Sequence, residues 1–379
     1  MERYILRILH TSDWHIGRFL NKYSLIEDQS YFLNWLYLVL KSEKIDLLLV
    51  AGDIYNSAIP SAEAVALLDE FLTKVILELK IPTLIISGNH DSPKKLSFSS
   101  KILEHFGLVI CGGVGGITHF KLNFDSKSIG FVLVPYIDPA MVKEYFGVEK
   151  ISSFDAALEL VAQKKIYDKI CCDINILCAH GTYMDFGASN LEYCDSEISI
   201  GGSDIVNLQK FKKFDYIALG HLHGSQKAGK NGRYSGSPLK YSVSEANHKK
   251  QVLIIDIDSA KNIKIEKIFV EPMRDLRIIK GKFEDIIKTK TNDYVSIQLT
   301  DEQFIIDPHS RIKQNCPNIL DLSYVNIKLE SVQAAQIVTK KSPNELFSEF
   351  YQHIVGKEMD IFEKQFFENI LEELRNETA

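Results

Sequence analysis

An aliphatic run, Thr83-Leu84-Ile85-Ile86, breaks at Ser87-Gly88 into Asn89-His90-Asp91. The run has the length and composition of a buried strand, and glycine permits the tight turn that ends it. An amide, an imidazole and a carboxylate then follow where the strand leaves the core. Each can ligate a metal or move a proton. The arrangement recurs four more times in the first 223 residues. Tyr4 to His10 leads to Asp13 and His15, and Asp46 to Val50 leads to Gly52-Asp53. Ile174 to Cys178 leads to His180, and Tyr216 to Leu219 leads to Gly220-His221-Leu222-His223. Amphipathic segments alternate with these strands: Ser24 to Ser42, a helix opened by Pro60 and striped with Leu67, Leu68, Phe71, Leu72 and Val75, and Ser152 to Ile170. This alternation predicts an α/β layered architecture with the strand-end loops gathered at one edge.

The chemistry follows from the residues at those ends: Asp13, His15, Asp53, Asn89, His90, His180, His221 and His223. A mixture of carboxylate, amide and imidazole suits manganese, iron or zinc better than calcium or magnesium alone. The lack of cysteine there argues against structural zinc. Eight groups exceed what one ion needs. Two ions about 3.5–4 Å apart, sharing one carboxylate, would use them to activate a water and clamp a phosphoryl oxygen. An imidazole that does not ligate could protonate a leaving oxygen. Taken singly, an Asp after a strand is more often a turn or helix cap, and a lone His is usually packing or surface. His10, His105, His119, His248, His309 and His353 are read that way. Five of the eleven histidines fall at these strand ends, and that joint placement is what chance does not explain.

The chain has 379 residues, 45% hydrophobic and 25% charged, enough for two domains or more. Its net charge of −6 excludes a protein that grips nucleic acid through bulk positive charge alone. The six cysteines form no Cys-x-x-Cys pair. They are expected to be reduced and mostly packing residues in a cytoplasmic protein. Met1-Glu2-Arg3 runs directly into a strand-like stretch, and no apolar run approaches a membrane span. Gly112 to Gly116 reads as a turn, since it lacks the Lys-Ser/Thr ending of a phosphate loop. Residues 184–204 read as a long functional loop.

Gln251 to Asp258 and Ile263 to Val270 alternate like an antiparallel pair that closes the sheet. A boundary is expected at Glu271-Pro272. Residues 274–335 then read strand, helix, strand, helix, strand, and 331–341 read as a linker. Ser342-Pro343-Asn344-Glu345 has the form of a capping box that launches a helical tail rich in aromatics, among them Phe347, Phe350, Phe362, Phe366 and Phe367. The expected domains are 1–272, 273–335 and 336–379.

The ordered set Asp-x-His, Gly-Asp, Gly-Asn-His-Asp, His, Gly-His-x-His resembles the calcineurin-like metallophosphoesterase superfamily over about residues 8–223. The stretches His10 to Gly17 and Gly236 to Glu245 are similar to the SbcD family of bacterial nucleases within it. The resemblance implies a four-layer αββα sandwich with a small α+β capping domain and a C-terminal helical tail. It implies two Mn2+ ions, one held by Asp13, His15 and His223, the other by Asn89, His180 and His221, with Asp53 bridging. It implies His90 as the catalytic histidine that helps expel the leaving group. Several relatives carry a second histidine where this chain has Asn56. The implied partners are DNA, an SbcC-type ATPase that receives the C-terminal helices, and a second copy of the chain, giving a homodimer within a heterotetramer. Phe32, Trp35 and Leu36 would serve either that dimer or the core. Arg18, Lys22, Lys94, Lys95 and Lys240 are candidate DNA contacts. The implied activity is a manganese-dependent double-strand exonuclease and single-strand or hairpin endonuclease in DNA repair, recombination and replication. The rivals are a protein phosphatase or nucleotide phosphodiesterase and, outside enzymes, a scaffold that has lost catalysis. The scaffold is disfavoured because every ligand position is filled.

Overall fold

The computed structural model describes residues 5–124, 126–185, 191–194, 197, 204–327 and 343–377. The linker expected at 331–341, Ser342 of the capping box, and much of the 184–204 loop lie outside the described residues.

The chain begins with β1 (Ile5–Thr11), α1 (Ile26–Ser42), β2 (Leu47–Ala51), α2 (Ala62–Thr73), β3 (Thr83–Ile86) and β4 (Leu108–Cys111). The four strands are parallel neighbours in that order. Next come β5 (Thr118–Phe124), β6 (Lys127–Val134), α3 (Pro139–Phe146), α4 (Phe154–Val161), β7 (Ile174–His180), β8 (Tyr216–Gly220), β9 (Gln226–Ala228) and β10 (Gly232–Tyr234). These strands make a second sheet, ordered β9-β10-β8-β7-β6-β5. The chain then returns to the first sheet through β11 (Gln251–Asp258) and β12 (Ile263–Phe269), giving the order β12-β11-β1-β2-β3-β4. β11 runs antiparallel to β1, and β12 antiparallel to β11, as the alternation predicts.

The two sheets pack face to face. On β2, Leu47, Leu49 and Ala51 enter the core shared with the second sheet, whereas Leu48 and Val50 face the cluster built with Phe32, Leu36, Leu68 and Phe71 of α1 and α2. Period two on a strand buried on both faces explains why it reads as an unbroken aliphatic run. Val142 of α3 and Ala157, Leu158 and Val161 of α4 join the core of the second sheet. The result is the αββα sandwich. Each fully buried Leu or Val contributes about 1.5–3 kcal/mol over an exposed one.

Helix starts follow local chemistry. Ser61 and Ser153 cap α2 and α4 by accepting from the amides of Ala64 and Ala156. Their ends differ from expectation. The helix expected over Ser152 to Ile170 stays α only to Val161, then widens into a π turn over Ala162–Ile166. Phe32 and Leu36 are 2% and 0% exposed, so they are core. The Gly112 to Gly116 turn contains a short 3-10 segment, Val114–Gly116.

After β12, β13 (Leu276–Gly281), α5 (Phe283–Ile286), β14 (Tyr294–Leu299), α6 (Pro308–Lys313) and β15 (Ile319–Tyr324) form a small layer with its own core of Val295, Ile297, Leu299, Ile312 and Ile319. All three strands are parallel, so the strand, helix, strand, helix, strand order read from the sequence forms a small βαβαβ layer. It belongs to one compact unit with everything before it, up to Tyr324. Asp28 of α1 joins the two parts: it accepts from Arg274 Nε at 3.0 Å, Arg274 Nη2 at 2.9 Å and the Tyr294 hydroxyl at 2.9 Å. The second unit, from Val325, carries α7 (Pro343–Val355) and α8 (Ile361–Glu377), with Phe347 stacked on Phe367 at 3.8 Å between ring centres.

Candidate metal centre

Parallel pairing places the C-terminal ends of β1, β2 and β3 side by side in one sheet, and those of β7 and β8 side by side in the other. Asp13, His15, Asp53, Asn89 and His90 come from the first set, and His180, His221 and His223 from the second. All eight meet at this edge.

The backbone there is strained. Asp13 (φ 55°), His15 (φ 46°), Asp53 (φ 51°) and His221 (φ 109°) all have positive φ, at a cost of order 1–3 kcal/mol each. Reciprocal hydrogen bonds offset it. Asp13 N donates to Gly52 O at 3.0 Å and His15 N to Asp53 O at 2.9 Å. His221 N donates to Asp13 Oδ1 and His90 N to Asp53 Oδ1, both at 2.9 Å. Buried Asp91 accepts from the amides of Ile54, Tyr55 and Gly88, tying the loop after β2 to the loop after β3. Glycines let the sheets approach. A Cβ on Gly52 would lie 2.3 Å from His180 Nδ1, and one on Gly220 would lie 1.9 Å from Ala51 O.

Donor atoms of Asp13, His15 and His223 lie within 4.8 Å of one another, as do those of Asp13, Asp53 and His180, and those of His15, Asp53 and His90. Asp53 Oδ2 is 3.5 Å from both His15 Nε2 and His180 Nε2. Asn89 Oδ1 is 3.0 Å from His180 Nε2 and 3.1 Å from His221 Nδ1. The tautomers test whether cations fit. His180 Nδ1 is 2.8 Å from Ala51 O, which can only accept, so Nδ1 carries the proton. A neutral His180 therefore aims an Nε2 lone pair at the Asn89 oxygen. His223 Nδ1 likewise donates to Glu245 Oε1 at 3.1 Å, leaving its Nε2 lone pair facing His15 Nε2 at 3.2 Å. Acceptors that face one another need a cation or a proton between them, and this donor set fits two divalent cations.

Electrostatics agree. Burial raises the Asp13 carboxyl to about 6 against the opposing charge of His180. Burial also works against the Asp53 anion, yet the charge of His180 and its hydrogen bond hold that carboxyl well below the usual range. Burial disfavours the His180 imidazolium, but the Asp53 charge overrides it and lifts the group to about 9. Burial keeps His15 neutral and, with the His180 charge, lowers His221 to about 4. Positive charge is thus wanted at one place, between the carboxylates.

His90 stands apart. Its Nδ1 donates to the Asn56 carbonyl at 2.9 Å, and its ring meets His15 edge-on at 4.8 Å. Asn56 Oδ1 accepts from Arg18 at 3.1 Å, and that guanidinium lies 5.1 Å from the Tyr241 ring centre. Lys240 is occupied elsewhere: its ammonium bonds Ala246 O, Leu276 O and Asp275.

Sequence reading missed the supports of the histidines. Glu197 accepts from His223 N, and Glu245 joins His223 Nδ1 to Lys250 Nζ, 2.5 Å away. Glu197 comes from the 184–204 loop, so that loop does reach the site. No local pattern marks either glutamate, although Glu245 ends the second stretch that carried the narrower resemblance.

A profile of calcineurin-like phosphoesterases matches residues 6–225, and one described as the type 5 capsule protein repressor C-terminal domain matches 272–354. The SbcD subunit of nuclease SbcCD from Staphylococcus epidermidis is 32% identical over 360 residues, covering 93% of this chain and 95% of that protein. Two solved structures are similar at 14% identity. TT1561 of Thermus thermophilus has a TM-score of 0.39, with 69% of this chain and 99% of that one covered. The calcineurin-like phosphoesterase YfkN of Bacillus subtilis has a TM-score of 0.37, with 70% and 90% covered.

Proposed function

The chain belongs to the calcineurin-like phosphoesterases and, within them, to the SbcD family of SbcCD nuclease subunits; from that premise we propose that it is the manganese-dependent nuclease subunit of an SbcCD-type complex. Its substrates are DNA phosphodiesters, cut as a double-strand exonuclease and a single-strand or hairpin endonuclease in repair, recombination and replication. The observation that carries this is Asp53 Oδ2, equidistant at 3.5 Å from His15 Nε2 and His180 Nε2, with His90 beside them.

We assign Asp13, His15 and His223 to one Mn2+, Asn89, His180 and His221 to the other, and Asp53 to both. When bound, the pair supplies an activated water and charge for the phosphoryl oxygens. Asp53, held well below the usual carboxylate range, would stay ionised to face both ions. Glu245 and the Ala51 carbonyl fix the tautomers of His223 and His180, so each presents Nε2. The Asn56 carbonyl fixes His90 with Nδ1 as the donor, so Nε2 would give a proton to the departing oxygen when the ring carries its second proton. Arg18, held where relatives carry a second histidine, binds a phosphate oxygen. DNA is then gripped by ions, local cations and the partner, which reconciles the activity with a net charge of −6.

The catalytic domain is assigned to 1–272, the cap to 273–335 and the docking tail to 336–379. The second profile match, starting at residue 272, supports the first boundary. Val65, Leu77, Phe98, Ile102 and Phe106 are exposed, which supports a homodimer face there, rather than at buried Phe32 and Leu36. Exposed Phe350, Ile354, Ile361, Phe362 and Phe366 support docking of an SbcC-type ATPase on the tail. No helix among the described residues is long and apolar enough to cross a membrane, and we place the protein in the cytoplasm.

The test is His90→Ala with linear duplex DNA and manganese. Cleavage should fall by about 10²–10⁴-fold while two Mn2+ per chain remain bound. Undiminished cleavage, or emptied metal sites, would sink the role given to His90. Wild-type protein that turns over small phosphate esters but never DNA, alone or with the ATPase, would favour the phosphatase or phosphodiesterase rival.

A further inference from the structure

Far from the strand-end edge, the start of β7 carries a second convergence. His119 on β5, Cys171 and Cys172 place their donor atoms within 4.8 Å of one another. Cys172 Sγ is 3.8 Å from His119 Nε2. Cys172 precedes β7 and His180 ends it, so along a strand rise of about 3.3 Å per residue the two sites are roughly 25 Å apart. This cluster shares no residue with the candidate metal centre.

Three features indicate a built site. First, the strand opposite leaves room for it. A Cβ at Gly130, in the middle of β6, would lie 2.4 Å from His119 Nε2 and 3.0 Å from Cys172 Sγ. Any other residue at 130 would push the imidazole and thiol out of place. Second, the loop is pinned from both sides. Asn175 Oδ1 accepts from Cys172 N at 3.2 Å, and Asn175 Nδ2 donates to Cys172 O at 2.8 Å. Asp173 accepts from the amide and hydroxyl of Ser128 at the start of β6. Third, the donors differ in chemistry from the strand-end set. His119 and Cys172 are half-buried and Cys171 is exposed, so a cation can enter from solvent and keep a water as fourth ligand. Burial and the charges of Lys121 and Lys169 lower His119, keeping the ring in its neutral, ligating form.

We propose that His119, Cys171 and Cys172 form a binding site for a borderline-soft d10 cation, Zn2+, in tetrahedral geometry with one open position. Two sulfurs and one imidazole match zinc and disfavour manganese, which prefers oxygen and nitrogen donors. Binding replaces the two thiol protons with the metal and releases them to solvent, leaving a site with no net charge.

The test uses full-length protein, reduced with a phosphine and with manganese at the strand-end centre, titrated with Co2+ as the spectroscopic stand-in for zinc. Sulfur-to-cobalt charge-transfer absorption should appear, saturate at one ion per chain, and be displaced by Zn2+. It should be lost in Cys171→Ser/Cys172→Ser, weakened at least tenfold in affinity in His119→Ala, and unchanged in Cys194→Ser. Circular dichroism confirms that each variant folds. Absence of the band at saturating cobalt would overturn the proposal, as would a band that survives the double serine variant.

Discussion

Glu245 is fully buried, and its carboxylate serves four groups: His223 Nδ1 at 3.1 Å, Lys250 Nζ at 2.5 Å, the Tyr241 amide at 3.3 Å and the Ser237 hydroxyl at 3.4 Å. Burial would raise this carboxyl, but the His223 hydrogen bond and the Lys250 charge hold it down to about 2. It therefore remains an acceptor and fixes the His223 tautomer. Glu245→Gln should weaken manganese binding about 10–100-fold, read by calorimetric titration; unchanged affinity would reduce Glu245 to a packing residue. At this scale the ligand-type residues were legible in sequence, because each follows an aliphatic run and a turn. Glu197 and Glu245 follow no such signal. His119 reads as packing from its own strand, and only the fold brings Cys171 and Cys172 beside it.

At the scale of elements, strands were legible because two-sided burial makes them uniformly aliphatic, as in Leu47 to Ala51 and Leu84 to Ile86. The start of α4 was legible to within a residue: the helix was expected from Ser152, and the Ser153 hydroxyl caps it. Helix interiors were less so: apolar spacing alone does not distinguish α4 from the π turn that continues it. The contact between the sheets was not legible at all. Gly220 lies at the end of β8 against Ala51 at the end of β2, from strands 165 or more residues apart in sequence. Gly220→Ala should destabilise the protein by about 2–3 kcal/mol, as overpacking does, and displace His180. Urea unfolding measures the first effect and manganese stoichiometry the second; a variant with native values for both would show that the sheets can separate freely.

At the scale of the whole molecule, Arg274 and Tyr294 converge on buried Asp28 and fasten the βαβαβ layer to α1. Arg274→Ala leaves that carboxylate with the Tyr294 hydroxyl as its remaining side-chain partner and should cost about 3 kcal/mol. Hydrogen exchange should rise across residues 276–324 while the strand-end edge keeps its protection. Uniform protection would mean that the layer is held by other contacts. Chelation acts instead at the strand-end edge. Removing divalent ions should lower the melting temperature, with recovery on adding Mn2+, because ions bind only the folded arrangement of Asp13, Asp53 and their histidines. A melting curve indifferent to both would contradict the two-cation assignment.

Local pattern was enough to identify the strands, the polar residues at their ends and the layered class, since these depend on side chains adjacent in sequence. The folded chain alone decided which atoms face one another. Asp53 reaches midway between His15 and His180 because the strand ends of two separate sheets meet there. The protons on His180, His90 and His223 are set by Ala51, Asn56 and Glu245, partners distant in sequence or in the backbone, where residue type carries no signal. Hydrogen-bond direction and shared burial are properties of three-dimensional proximity, and for that reason the chemistry could be listed from the sequence but its arrangement could not.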